Sequence, residues 1–170
     1  MEALSLFKKR DTKTKGKSMK QVKELSESVN HTAIDLGNLD ELMEYSLIHP
    51  VNKQEIEGKV FLKDVTKATG SEISFNSLPP KSEQPYFHLH YKNEETYIII
   101  KGFGFFQVDG EYFEIKEGSV IRVAPAGVRG IRNSSEETMI YMVIQSKENS
   151  LEEYTTNDGE RVAFEPKWEK

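Results

Sequence analysis

The chain has 170 residues, 36% hydrophobic and 30% charged, with a mean hydropathy of -0.61 and a formal net charge of -5. A chain of that size and polarity reads as one globular domain with short appendages, and its acidic balance argues against a dedicated nucleic-acid binder. The absence of cysteine excludes a disulfide scaffold and any thiolate metal site, and the lack of a long apolar stretch predicts a cytoplasmic protein with no membrane contact.

In chain order, residues 8–23 carry eight Lys or Arg and a single acid, Asp11. Residues 1–17 therefore read as a basic, solvated leader. Residues 18–50 read as short helical segments. Met19, Val22, Leu25 and Val29 recur at spacings of three and four, and so do Leu36, Leu39, Leu42 and Met43. Asn38 or Asp40 is placed to cap the second helix, and His49-Pro50 to end it. His31 and His49 are isolated and read as surface or turn histidines.

Residues 51–146 have a different character. Probable strands at 59–62, 71–78, 96–100, 103–108, 112–115, 120–123 and 139–145 are separated by turn signals. Ile73 and Phe75 fall on one face of their strand. Asp109-Gly110 between two apolar runs is a type I′ hairpin signal. Short strands at this spacing predict an all-β antiparallel sandwich or barrel. Residues 147–170 form a polar extension, in which Val162 and Phe164 could add an edge strand and Trp168 could pack the end down.

The chemistry concentrates at Phe87-His88-Leu89-His90, followed by Glu94 and Glu95. On extended backbone, His88 and His90 point the same way. Two imidazoles and a carboxylate suit a divalent metal. No phosphate-binding glycine loop and no nucleophile elbow accompany them. The spacing resembles the first motif of the cupin superfamily: a His-x-His pair, then Glu95, then Gly102 after six residues. Gly118 and Pro125-Ala126-Gly127 resemble the second motif. There the expected histidine position holds Gly130, and Asn133 arrives one residue early. The resemblance covers about 61–145.

It implies a double-stranded β-helix (a jelly-roll, or cupin barrel) with short N-terminal helices. It also implies a metal site of His88, His90 and Glu95 without a fourth histidine, and a homodimer. Such a triad can hold Fe, Mn, Ni or Zn with open positions for a substrate. Arg129 and Arg132 flank the vacated position. They are candidates to grip a small polar or carboxylate-bearing ligand, with Tyr97 and Tyr86 as polar handles on the cavity wall. Arg122 lies within a predicted strand, where an inward orientation would point to an anionic ligand. Two functions follow. One is a metal-dependent enzyme, an oxygenase or isomerase. The other is a non-catalytic ligand-binding or sensor module with a weak or vacant metal site.

Overall fold

The structure is a computed structural model that describes residues 19–49 and 53–168. The basic leader at 1–17 and the proline expected to end the N-terminal segment lie outside the described residues.

The first departure from expectation comes at once. Where the spacing of Met19, Val22, Leu25 and Val29 predicts a helix, the chain forms a hairpin of β1 (Lys23–Ser28) and β2 (His31–Asp35). The reason is burial. Leu25 and Val29 are exposed, so the apolar stripe has nothing to pack on, whereas Val22, Ile34 and Leu36 pack into a common cluster. Tertiary contact outweighs a sparse helical period. His31 closes the hairpin, with Ser28 Oγ 2.7 Å from Nδ1 and Ser26 Oγ 2.9 Å from Nε2.

The second predicted helix exists as a 3-10 helix, Leu39–Glu44, and Asn38 caps it by accepting from the Asp40 amide at 3.0 Å. There follow β3 (Ser46–Ile48), β4 (Glu55–Glu57), β5 (Lys59–Phe61) and a single helical turn, α1 (Lys63–Thr66).

The remaining strands are β6 (Ser71–Leu78), β7 (Asn93–Lys101), β8 (Phe103–Val108), β9 (Glu111–Lys116), β10 (Val120–Val123), β11 (Arg129–Asn133) and β12 (Met139–Lys147). They build a five-stranded antiparallel sheet in the order β10-β7-β12-β6-β5, and a three-stranded one in the order β11-β8-β9. At the β8–β9 turn, Asp109 and Gly110 have φ of 51° and 92°, as a type I′ hairpin requires. Gly104 permits the close approach of β8 and β11, because a Cβ there would lie 1.9 Å from the Arg132 carbonyl oxygen.

The main core lies between the two sheets. Tyr97, Ile99, Val123, Met139, Tyr141 and Val143 from the larger sheet meet Phe106, Ile115 and Ile131 from the smaller. Phe106 and Met139 have no solvent exposure. A second cluster covers the outer face of the larger sheet. There Ile73, Phe75, Ile100 and Ile140 pack against Leu36, Leu42 and Tyr45 of the N-terminal segment. The fold is all-β with short helices. Among the described residues, hydrogen bonding leaves the two sheets distinct rather than joined into a closed barrel.

The C-terminal expectation fails. Residues 148–168 form no strand, and Val162, Phe164 and Trp168 are 76%, 82% and 86% exposed. Charged neighbours (Arg161, Glu165 and Lys167) separate these apolar side chains, so they never make a continuous face.

Candidate metal and ligand site

The site lies where the inner face of the larger sheet looks across to β11. Glu95 and Tyr97 share one face of β7, two residues apart. Gln145 on β12 pairs with Glu95 in register. His88 and His90 come from the irregular segment between β6 and β7. It is fastened to β11 by reciprocal His88–Arg129 backbone bonds of 3.0 and 3.3 Å, and to Pro125 through the His90 amide at 2.9 Å. These anchors hold both imidazoles on one side, with ring centroids 5.4 Å apart.

One ligand atom from each of His88, His90 and Glu95 falls within 4.8 Å of the others. His90 Nε2 is 3.0 Å from Glu95 Oε1, and His88 Nε2 is 3.6 Å from Oε2. Glu94, the neighbouring carboxylate, turns away and accepts from Arg122 Nε at 2.7 Å. Arg122 is therefore outward-facing, tied to Glu94 and Glu148, and offers the cavity no charge.

Arg129 has no solvent exposure. Its guanidinium donates to Glu95 Oε2 from Nη2 at 2.6 Å and from Nε at 3.1 Å, and to the Gly127 carbonyl at 3.0 Å. The Tyr97 hydroxyl donates to the same carboxylate oxygen at 2.6 Å. Burial pushes the Glu95 carboxyl up. Contacts with His88, Tyr97 and Arg129, together with the Arg129 charge, outweigh it and hold the group well below the usual carboxylate range. Burial and the Glu95 charge push the Tyr97 phenol the other way, so it stays a proton donor.

The sequence expectation that Arg129 grips a ligand thus meets a different arrangement. Its donors are spent inside the protein, because a fully buried guanidinium requires a counter-charge. Arg132, three residues on, alternates to the exposed face of β11. Tyr86 lines the cavity mouth and Tyr97 its wall.

The cavity beside this cluster has a volume of about 230 Å³. Besides the triad and the two tyrosines, its lining includes Lys59, Glu72, Ser74, Asn76, Tyr141 and Gln145. Gln145 Nε2 lies 3.3 Å from His90 Nδ1. None of Lys59, Glu72, Ser74, Asn76 or Gln145 stood out in the sequence. The signal available was the alternation of Glu72, Ser74 and Asn76 along β6, which would ordinarily mark a solvent face.

Comparison with known proteins agrees with this architecture. Residues 75–145 match the cupin domain family model. A cupin protein from Bacteroides fragilis, known from its crystal structure, is 41% identical and superimposes with a TM-score of 0.60, over 62% of this chain and 89% of that one. The chain belongs to the cupin superfamily. The uncharacterized protein MJ1618 of Methanocaldococcus jannaschii is 35% identical over 57 residues, 34% of this chain and 46% of that protein. The chain thus spans under half the length of that relative. A Klebsiella pneumoniae protein with a double-stranded β-helix domain shares the fold at 22% identity and a TM-score of 0.50, over 67% of this chain and 90% of that one.

Set against the cupin second motif, the structure explains the missing histidine. Gly130 points away from the triad, and a Cβ there would meet the Phe87 ring at 2.8 Å. Arg129 is the residue on the inner face. Counted back from Asn133, it stands where the motif places its histidine, so the motif is one residue short and carries arginine at its ligand position. Asn133 itself is structural. Its Nδ2 donates to the carbonyls of Leu78, Pro79 and Glu137, and its Oδ1 accepts from Ser135 Oγ at 2.6 Å.

The donor set fits a three-coordinate divalent site. Two imidazoles and the Glu95 carboxylate converge, Oε2 is taken by Tyr97 and Arg129, and His88 Nδ1 is buried with no partner among the described residues. Arg129 balances the Glu95 charge, so the cluster is formally neutral with neutral imidazoles. Such a site holds a cation less tightly than one with an unneutralised carboxylate. No helix among the described residues is long and apolar enough to cross a membrane.

Proposed function

We propose that this cupin binds a small polar or carboxylate-bearing molecule in its cavity, beside a divalent metal held by His88, His90 and Glu95. The observation that carries the reading is the convergence of these three donors within 4.8 Å at the wall of a polar cavity. A bound Fe, Mn, Ni or Zn ion would supply Lewis acidity, or in the case of Fe(II) a site for dioxygen, so the reaction classes are isomerisation and oxygenation.

The chain's own residues set the frame for either. Arg129 and Tyr97 fix the orientation of the Glu95 carboxylate and leave Oε1 toward His90. Tyr86, at the mouth, and Gln145, beside His90, offer hydrogen bonds to a bound molecule. We read the two facing sheets as the halves of a double-stranded β-helix, and the functional unit as a cytoplasmic homodimer.

A second reading rests on the Arg129–Glu95 pair. A carboxylate already neutralised needs no metal, which favours a non-catalytic cupin whose histidines bind ligand directly.

Elemental analysis of protein purified without added metal distinguishes the two. The first reading expects stoichiometric Fe, Mn, Ni or Zn, lost in H88A/H90A. No metal as purified, and no binding on titration with these ions, leaves only the second.

A further inference from the structure

We propose that Lys59 receives the anionic group of the cavity's ligand, and that this ligand is a small carboxylate. The inference deepens the ligand-binding reading above and rests on it, but it is independent of whether metal is present.

Lys59 opens β5 and pairs with Asn76 of β6, so its side chain shares the cavity face with Phe61, Ser74 and Asn76. Among the described residues it is the one Lys or Arg in the cavity lining. Its ammonium lies over the Phe61 ring, 4.7 Å from the centroid. Among the described residues it is in no ion pair. The two carboxylates of the lining have other work. Glu72 Oε1 accepts from the Leu62 and Lys63 amides at 3.0 and 2.8 Å. Glu95 Oε2 accepts from Arg129 and Tyr97.

A half-buried ammonium facing a polar cavity without a counter-ion is costly. Burial lowers the Lys59 pKa, and the charges of Glu95 and Glu72 only partly oppose it. An anion entering the cavity relieves that cost and gains three rotatable donors. Ser74 stands on the same face, its Oγ accepting from Asn76 Nδ2 at 3.0 Å, which leaves its hydroxyl proton for a carboxylate's second oxygen.

The cavity sets the size. About 230 Å³ is room enough for a short-chain mono- or dicarboxylate. The cations proposed for this role from sequence, Arg129 and Arg132, are respectively sealed in the core and on the outer face. Among the described lining residues, Lys59 is the permanent cation left for that role.

The test uses the full chain as purified, with metal content measured on every sample. Acetate, oxalate, malonate and succinate are titrated by calorimetry, with acetamide and malonamide as uncharged counterparts. We expect at least one carboxylate to bind, neither amide to bind, K59M to weaken binding at least about tenfold, and K59R to stay within about threefold of wild type. Metal content should not change in either variant. In a second measurement, reductive methylation with ¹³C labels the lysines of wild-type protein. The Lys59 resonance, assigned by its loss in K59R, should shift on titration with the same carboxylate. Equal carboxylate affinity in wild type and K59M, an unmoved Lys59 resonance at saturation, or no binding of any of the four carboxylates overturns the proposal. Absence of metal with carboxylate binding still lost in K59M removes the metal reading and leaves Lys59 in its role.

Discussion

Replacing Arg129 with Met removes a fully buried guanidinium, keeps an unbranched stem, and leaves Glu95 with an unbalanced charge at 7% exposure. Two donors to Oε2 and one to the Gly127 carbonyl disappear. Removing one member of a buried ion pair costs about 3–5 kcal/mol. At about 2–4 °C per kcal/mol for a chain of this size, the melting temperature should fall by about 6–20 °C. Urea denaturation at pH 7 measures the loss directly. R129M/E95M, which removes both charges, should recover most of it.

The pH dependence follows from the depressed Glu95 pKa. A lowered folded-state value means that the stabilisation by Glu95 is complete above the unfolded-state value, about 4.3, and is lost only as pH falls through the lower folded one. R129M raises the folded value, so the gap between wild type and variant is widest near neutral pH and narrows as acid protonates Glu95 in the variant. A cost below about 1 kcal/mol for R129M at pH 7, or no recovery in the double variant, would refute the view that this pair organises the site.

Tyr97→Phe deletes the hydroxyl that donates to Glu95 Oε2 at 2.6 Å, and chemical denaturation should show a loss of about 1.5–3 kcal/mol, the range for hydrogen bonds to charged groups. Gly104→Ala sets a Cβ against the Arg132 carbonyl oxygen. β8 and β11 must then part, and we expect a loss of about 3 kcal/mol or more in the same assay. Arg129→His should place a third imidazole beside the triad and raise Zn(II) or Ni(II) affinity at least about tenfold in calorimetric titration. Gly130→His, on the opposite face and against the Phe87 ring, should not raise metal affinity, and equal gains from both would contradict the one-residue shortening of the second motif.

Much of this architecture could be read from residue order. The alternation along 71–78, the Asp109-Gly110 turn and the apolar run from Met139 each carry a local reason to be what they are. The convergence of His88, His90 and Glu95 was legible because a period of two and a motif spacing both place them on one side. The strand at Arg129–Asn133 was not legible. It contains one large apolar side chain, Ile131, between arginines and a glycine, and its register with β8 is set by contacts remote in sequence.

For the same reason the fate of Arg129 was hidden. Alternation predicts that Arg129 and Gly130 face opposite ways, but not which face meets Glu95. Lys59 and Asn76 escaped notice because polar residues alternating with Val60 and Phe75 ordinarily mean water outside and core inside. Here both sides of the sheet are covered, and the polar side is the enclosed one.

That inversion bears on what counts as the smallest autonomous piece of this protein. The cupin domain model matches residues 75–145. Yet Ile73, Phe75 and Ile140 turn their apolar side away from the cavity, toward Leu36, Leu42 and Tyr45. A fragment trimmed to residues 75–145 would keep the core between the sheets but expose Phe75, Ile100 and Ile140 on the outer face, an apolar patch that favours self-association. The N-terminal hairpin and its 3-10 helix cover that face, and the second hydrophobic cluster forms between them.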